Sequence, residues 1–345
     1  MTLTTSSTSQ AVALALPEAL FQSLDDLVNV EFKSKRAMLG GTRLRYDAVR
    51  LVAGSPLCLR AAAVLEGLSP KSLVYLTTGA GNPLTLPKGE TDGPAGAAVL
   101  ARYLANLGHP IMLLAESAFL PGIVASFNAY GFMIGADGKG AGIGCEVFPH
   151  GAAAGQAKVA ELMARYPDAV GGIFIEKPGP NSAGGFHNSA GKPKDPDTVA
   201  HLHLLADALN TAGAATLGIG DGGNEIGFGY AETALKAALE VARDCGCPCG
   251  GGIANATKVT AFVTAATSNW GAYAVAAALA MLQNRGKDLP SIDLVARSVE
   301  ASVAGGAHDG YSGLPQSTVD GTELEASVAI YRLCLSLVGH AEKLA

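Results

Sequence analysis

Short apolar segments that end in polar, glycine-rich loops recur along this chain, and most are followed by a helical pattern. The segments are residues 72–77, 111–115, 169–175, 215–219 and 259–267. Near-continuous apolar strands that alternate with amphipathic helices are typical of a parallel sheet buried on both faces. The sequence therefore predicts an α/β fold, a layered helix/sheet/helix domain with a mainly parallel, Rossmann-like sheet.

The organisation of the chain follows from the same pattern. Helices are predicted over residues 24–39, 57–65, 95–107, 123–130, 231–243 and 272–284. The polar N-terminus predicts a disordered tail over residues 1–15. No internal repeat and no linker divides the remainder, so residues 16–345 are predicted to form a single large domain.

Composition excludes several classes of protein. With 49% hydrophobic residues the chain can bury a large core, and a net charge of −6 argues against a nucleic-acid partner. No uninterrupted run of about 20 apolar residues is present to span a bilayer, and no basic residue precedes the first apolar stretch, as a signal peptide would require. Three of the six cysteines lie within five residues, a poor disulfide framework. We expect a cytoplasmic protein with no membrane partner, and a homo-oligomer is compatible with this sequence.

The loop at residues 218–227 is the strongest local signal. Its glycines fit G-x-G-x-x-G loosely, as in a dinucleotide site, but Asp221 and Glu225 would place two negative charges where a pyrophosphate lies. Together with the amide of Asn224, these carboxylates are better suited to hold Mg²⁺ or Mn²⁺. The alternative is an ordinary turn that caps the next helix.

Other acidic residues follow the predicted strands. Glu90 and Asp92 precede a helix, where Asp92 alone would be explained as a cap, and Glu116 and Glu176 follow strands directly. Because the carboxyl ends of parallel strands meet at one edge of a sheet, we expect these side chains to form one cluster. Clustered carboxylates either hold a metal or raise one another's pKa for acid–base catalysis, and the sequence leaves both alternatives open.

Residues 268–271 place Ser268, Asn269 and Trp270 at a strand end. A hydroxyl, an amide and an indole in this position can bind a small polar substrate. A lone tryptophan is more often part of the core than a ligand contact, but the hydroxyl and amide groups beside it give the two interpretations equal weight.

Cys245, Cys247 and Cys249 suggest a metal site at first sight. Their C-x-C-x-C spacing differs from the C-x₂₋₄-C pair of structural zinc sites, and no fourth ligand is evident in the sequence. We therefore interpret the segment as a loop rich in glycine and cysteine rather than as a metal site.

Taken together, three segments resemble the D-glutamate cyclase family. They are residues 90–94 (ETDGP), 220–227 (GDGGNEIG) and 268–273 (SNWGAY), which occur in this order. Residues 77–79 (TTG) and 175–177 (IEK) support the resemblance, which extends from about residue 68 to the C-terminus. The vertebrate members have two domains, and this chain corresponds to their C-terminal domain.

The resemblance implies conversion of D-glutamate to 5-oxo-D-proline with loss of water, on a parallel α/β sheet and with a divalent cation. The residues that it implies for the site are Glu90, Asp92, Glu176, Asp221, Asn224, Glu225, Ser268 and Asn269.

The chemistry of this reaction suggests a role for each group. A base must deprotonate the amine, for which Asp221, Glu225 or Asp92 would serve. A cation held by Glu90, Asp92, Glu116, Glu176, Asp221 and Glu225 would polarise the γ-carboxylate, with Lys177 as a weaker candidate for that role. The substrate, an amino acid, would be bound by Thr78, Gly79, Asn82, Asn224, Ser268, Asn269 and Trp270.

Three other functions compete with this one. Carboxylates on a parallel sheet also suit a metal-dependent phosphoesterase. The loose glycine spacing allows a nucleotide-binding oxidoreductase. A non-enzymatic protein that binds an amino acid or a metal is the alternative outside the enzymes.

Overall fold

A computed structural model describes residues 16–32 and 40–344. The predicted tail at residues 1–15 lies outside the described residues. The elements, in chain order, are α1 Glu18–Val28, α2 Gly41–Ala53, α3 Leu57–Glu66, β1 Val74–Thr78, α4 Pro94–Asn106, β2 Ile111–Ala115, α5 Leu120–Ala129, β3 Lys139–Gly140, β4 Ile143–Val147, α6 Ala152–Arg165, β5 Gly171–Ile175, β6 Phe186–His187, β7 Pro193–Lys194, α7 His203–Thr211, β8 Ala215–Gly220, α8 Glu232–Ala238, α9 Glu240–Arg243, β9 Ala261–Thr264, α10 Ser268–Gln283, α11 Asp293–Ala304 and α12 Leu324–Ala341.

Within the described residues, seven strands form one sheet in the order β3-β4-β2-β1-β5-β8-β9. All neighbours are parallel except the short β3, which pairs antiparallel with β4. From β1 the chain adds β2, β3 and β4 on one side of the sheet. It then crosses back and adds β5, β8 and β9 on the other side of β1. A crevice opens at such a reversal, outside the carboxyl ends of the strands, and it is where α/β proteins bind ligands. The predicted fold class is confirmed.

Helices cover both faces of the sheet. Helix α10 packs against α3, α4 and α12, and α6 packs against α7. The two glycines at the start of β5 show that these two groups of helices lie on opposite faces of the sheet. A Cβ on Gly171 would contact Leu68, which follows α3, whereas a Cβ on Gly172 would contact Leu209 of α7. The core is therefore a buried sheet between two helical layers.

Several predicted boundaries differ from the structure. The helix predicted over 24–39 begins at Glu18 and ends at Val28, and residues 33–39 lie outside the described ranges. The helix predicted over 231–243 is broken at Leu239, whose backbone is extended between α8 and α9. The helix predicted from residue 272 begins at Ser268. This last shift moves three predicted site residues from a loop into a helical turn.

The N-termini of α4 and α10 lie in direct contact. A Cβ on Gly96 would lie 2.6 Å from Cα of Asn269, so glycine is required for this approach. The Asn269 Oδ1 atom accepts hydrogen bonds from the backbone N–H groups of Gly93 (3.1 Å) and Gly96 (2.7 Å). Two helix N-termini thus meet beside the carboxyl ends of the central strands.

Among the described residues, no single helix is long and apolar enough to cross a membrane. Helices α2 and α3, which are bent by 54° relative to each other, meet the length and composition criteria only as a pair.

Candidate active site

Three carboxylates from separate loops converge at the reversal of the sheet. Asp92 precedes α4, Glu176 follows β5 and Asp221 follows β8. Each contributes an oxygen atom, and these atoms all lie within 4.8 Å of one another. All three side chains are buried, with 1%, 8% and 6% exposure. The structure therefore brings together three of the predicted metal ligands.

Burial of these like charges perturbs their protonation. Burial, and then the carboxylates of Asp221 and Glu225, raise the pKa of Glu176 well above its usual range. Burial and the nearby Asp320 and Asp221 do the same for the pKa of Asp92. Such a cluster is stable only when protons or a cation offset its charge. Its hard oxygen donors fit Mg²⁺ or Mn²⁺.

Glu90 lies beside this group rather than within it. A Cβ on Gly310 would clash with the carboxylates of both Glu90 and Asp320, which places these two acids next to each other. Burial and the charges of Asp320, Asp221 and Glu225 raise the pKa of Glu90 to about 8, an effect that Lys194 opposes.

Asp92 caps a helix, but a different one from the helix that follows it in sequence. Its carboxylate accepts hydrogen bonds from the backbone N–H groups of Ser268 (2.7 Å) and Asn269 (2.8 Å) at the start of α10. The Ser268 hydroxyl in turn donates to Glu176 at 2.6 Å. The positive end of this helix therefore partly offsets the charge of the cluster.

Lys177 is fully buried in an ion pair. Its Nζ atom lies 2.6 Å from the Glu116 carboxylate and 2.5 Å from the carbonyl oxygen of Gly79. These contacts connect the loops that follow β5, β2 and β1. Glu116 is thus paired with a cation and lies outside the group formed by the three carboxylates.

The loop after β8 is held by its own acidic residue. Both carboxylate oxygens of Glu225 accept backbone hydrogen bonds, from Gly222 at 2.9 Å and Gly223 at 2.8 Å. Asn224 donates its amide to the carbonyl oxygen of His187 at 3.0 Å. Glu225 therefore fixes the conformation that presents Asp221, and it lies outside the close group of three.

Among the described residues, two of the predicted substrate-binding side chains carry a buried polar atom that has no hydrogen-bond partner. These atoms are the hydroxyl of Thr78 and the Oδ1 atom of Asn224. A Cβ on Gly93 would lie 2.6 Å from that hydroxyl and 3.0 Å from Cβ of Glu176, which places Thr78 at the edge of the cluster. Buried polar atoms are nearly always paired, so unpaired ones beside a carboxylate cluster suggest contacts with a ligand.

Other predicted binding residues have their polar groups occupied by protein partners. Asn82 accepts backbone hydrogen bonds from Leu84 and Thr85 in its own turn. The Trp270 indole, which is fully buried, donates to Ser327 of α12 at 2.9 Å. Asn269 uses its Nδ2 atom to donate to the carbonyl oxygen of Thr91. These three side chains thus contribute to the scaffold of the site.

Two charged residues beside the carboxylate cluster could not be predicted from the sequence. Lys194, at the end of β7, donates to the carbonyl oxygen of Gly81 at 3.2 Å, and its charge opposes the rise in the pKa of Glu90. Asp320 approaches from the loop before α12. Neither residue follows a strand of the main sheet, so the pattern of strand ends could not identify them.

The fold and this site define a layered α/β protein with a buried acidic centre at the carboxyl ends of its strands. Residues 50–333 match a family model described as D-glutamate cyclase-like, C-terminal. This match covers most of the chain, and the chain belongs to this family. The family indicates a D-glutamate cyclase-like function. A search of curated proteins found no match.

Proposed function

We propose that this chain converts D-glutamate to 5-oxo-D-proline and water at the carboxylate cluster. The observation that carries the proposal is the convergence of Asp92, Glu176 and Asp221, with oxygens within 4.8 Å of one another, in a chain of this family. In the reaction, the α-nitrogen bonds to the γ-carboxyl carbon and one carboxyl oxygen departs. The two protons that the ammonium group loses leave with that oxygen as water.

Asp92, Glu176 and Asp221 are the residues that would hold a divalent cation. When bound, such an ion would supply Lewis-acid polarisation of the γ-carboxylate, which is otherwise a poor electrophile. The electrostatic repulsion within the cluster supports this role. Burial, and then repulsion from neighbouring carboxylates, raise the pKa values of Glu176 and Asp92, and a dication would relieve that repulsion.

Glu90 is our candidate for the proton acceptor. A general base is most effective when its pKa lies near the working pH, and the pKa of Glu90 is raised to about 8. Asp92 and Glu225 each accept two backbone hydrogen bonds, which suits the positioning of neighbouring groups better than proton transfer. Lys177, held by Glu116 and Gly79, is a positioning residue as well.

Binding of the amino acid is assigned to three polar groups. The unpaired Oδ1 atom of Asn224 is an acceptor suited to the substrate ammonium group. The unpaired hydroxyl of Thr78 can donate to a substrate carboxylate. Lys194 adds a positive charge beside Glu90, which suits the second carboxylate of a dicarboxylic amino acid.

The test is formation of 5-oxoproline by the purified chain from D- and L-glutamate, with Mn²⁺ or Mg²⁺ and after EDTA. We expect turnover of the D-isomer that EDTA abolishes and that either metal restores. Absence of turnover with both isomers and both metals would reject the proposal. Release of phosphate from a simple ester under the same conditions would support the phosphoesterase alternative instead.

A matched pair of variants tests the site. Asp221→Asn removes one carboxylate at the carboxyl end of the sheet, and Asp168→Asn removes an exposed one that precedes β5, at the opposite end. We expect the first to lose activity and the second to retain it. Equal activity in both variants would remove the cluster from the mechanism.

A further inference from the structure

A second group of ligating side chains lies in loops beside the carboxylate cluster. Cys245, Cys247, Cys249 and His187 each offer one ligand atom, and these atoms lie within 4.8 Å of one another. All three cysteines are free thiols and are partly exposed. The sequence interpretation of this segment lacked a fourth ligand. The structure supplies it from the hairpin of β6 and β7, 60 residues away from Cys247.

The separations of these atoms are close to those around a single ion. The sulfur atoms lie 3.1 Å (Cys245 to Cys247), 3.2 Å (Cys247 to Cys249) and 3.5 Å (Cys245 to Cys249) apart. The His187 Nε2 atom lies 3.3 Å from the sulfur of Cys247 and 3.6 Å from that of Cys249. Zinc–ligand bonds of about 2.3 Å to sulfur and about 2.0 Å to nitrogen require tetrahedral edges of about 3.8 and 3.5 Å. Outward shifts of a few tenths of an ångström per sulfur would therefore seat an ion.

The surroundings of Cys249 favour a thiolate. The sulfur of Cys249 accepts hydrogen bonds from Asn181 Nδ2 and from the backbone N–H of Gly251, each at 3.4 Å. Donors of this kind stabilise negative charge on a ligating sulfur. A Cβ on Gly185 would lie 2.9 Å from the His187 ring and 3.5 Å from that same sulfur, so a glycine there allows the ring to approach.

We propose that His187, Cys245, Cys247 and Cys249 form a structural zinc site. Three sulfurs and one imidazole nitrogen are a soft, tetrahedral donor set, which selects zinc over the hard cations suited to carboxylates. With four protein ligands the site has no open position for a substrate, so its role is structural. This proposal is independent of the proposed reaction.

The zinc site would fix one wall of the carboxylate site. The carbonyl oxygen of His187 holds the amide of Asn224, in the loop that presents Asp221. Further along the same hairpin, Lys194 contacts the carbonyl oxygen of Gly81 and interacts electrostatically with Glu90. One bound ion would thus join the loop at residues 244–252 to the hairpin and position two groups of the neighbouring site.

The experiment measures metal content, thiol state and the spectrum of the cobalt-substituted chain. Elemental analysis of the purified protein after brief EDTA treatment is expected to show about one zinc per chain. Replacement of that ion by Co²⁺ is expected to give a thiolate-to-cobalt charge-transfer band and the intense visible bands of a tetrahedral centre. Bound metal with octahedral, oxygen-type cobalt bands, absence of metal after EDTA, or a disulfide among the three cysteines would each overturn the proposal.

Two variants locate the ion. Cys249→Ser is expected to lower zinc content to less than about one tenth of an ion per chain, whereas Cys145→Ser, which removes a partly buried thiol in β4, is expected to retain it. Asp221→Asn is also expected to retain the zinc, and loss of zinc in that variant alone would place the ion in the carboxylate cluster and reject the proposal. If Cys249→Ser fails to fold, the cobalt spectrum of the unaltered chain still tests whether the thiol–imidazole site binds the ion.

Discussion

Two groups of ligating side chains lie close together in this protein, and they are built in opposite ways. The carboxylate cluster of Asp92, Glu176 and Asp221 is buried at the ends of the central strands and offers only oxygen. The thiol–imidazole cluster, formed by His187 and the three cysteines at positions 245, 247 and 249, is carried by a hairpin and a loop and is partly exposed. The first is held by the sheet, whereas the second holds loops that have little regular structure of their own.

This difference separates the roles of the two clusters. Rigid strand ends keep like charges together despite their repulsion, and the raised pKa values that result are the property that the proposed catalysis would use. Loops with few buried apolar contacts gain order from cross-linking, as small zinc modules do. The hairpin between the clusters, which carries His187 and Lys194, transmits that order to the acidic site.

The largest effect is expected from Asp221→Asn. Loss of one carboxylate weakens cation binding and the electrostatic arrangement of the site, so we expect kcat/KM for D-glutamate to fall by about 100-fold or more. Steady-state formation of 5-oxoproline measures this change. Zinc content should stay the same, and a parallel loss of zinc would show that the two clusters are not separate.

Asn181→Ala is expected to weaken zinc binding at the thiol–imidazole cluster. It removes the side-chain N–H that supports the Cys249 sulfur and the hydrogen bond at 2.6 Å to the carbonyl oxygen of Gly252. Outer partners of metal ligands typically contribute about 10–100-fold to affinity, and we expect a loss in this range. Competition with a chromophoric chelator measures it. Unchanged zinc affinity would contradict the assigned hydrogen bond to sulfur.

Lys194→Met tests the proposed contact between the hairpin and the substrate. The variant keeps the length of the side chain but removes the charge that interacts with Glu90. Loss of one charge-assisted hydrogen bond to the substrate predicts a KM about tenfold higher, with a much smaller change in kcat. An equal fall in kcat and kcat/KM would instead assign Lys194 to the transition state. Lys192→Met, on the same hairpin but exposed, is the control.

The smallest expected effect is on thermal stability as a function of pH. A carboxyl whose pKa is raised by folding keeps a proton that the unfolded chain has released, so stability falls as pH rises between the two values. For Glu90 that window runs from 4.5 to about 8. The metal-free chain should therefore lose several degrees of Tm across this window, by the usual relation of stability to Tm.

Added Mn²⁺ should reduce this loss, because the cation replaces the protons as the charge that offsets the cluster. Calorimetry at matched ionic strength measures both curves. A Tm that rises across the same window without metal would show that these carboxylates are not buried together. Glu90→Gln should make the metal-free curve less steep, whereas the raised pKa values of Asp92 and Glu176 should preserve part of its slope.

Much of the fold could be predicted because strands and helices leave periodic patterns. The predicted strand at 111–115 is confirmed as β2, and the helix predicted at 57–65 is confirmed as α3 within one residue. The site was less accessible to prediction. Asp92 caps α10, more than 170 residues away in the chain, rather than the helix that follows it. Asn269 and Trp270 lie in the first turn of that helix, where protein partners occupy their polar groups.

The sequence by itself determined which residue types stand at the ends of the strands, since local pattern decides where a strand stops and a loop begins. It thus predicted that acids would gather at one edge of a parallel sheet. Only the tertiary structure decided which of them meet, pairing Glu116 with Lys177 and bringing Asp320 and Lys194 to Glu90. Only the tertiary structure, likewise, brought His187 to the cysteines. Contacts between distant segments depend on how layers pack, and such packing leaves no periodic trace in the chain.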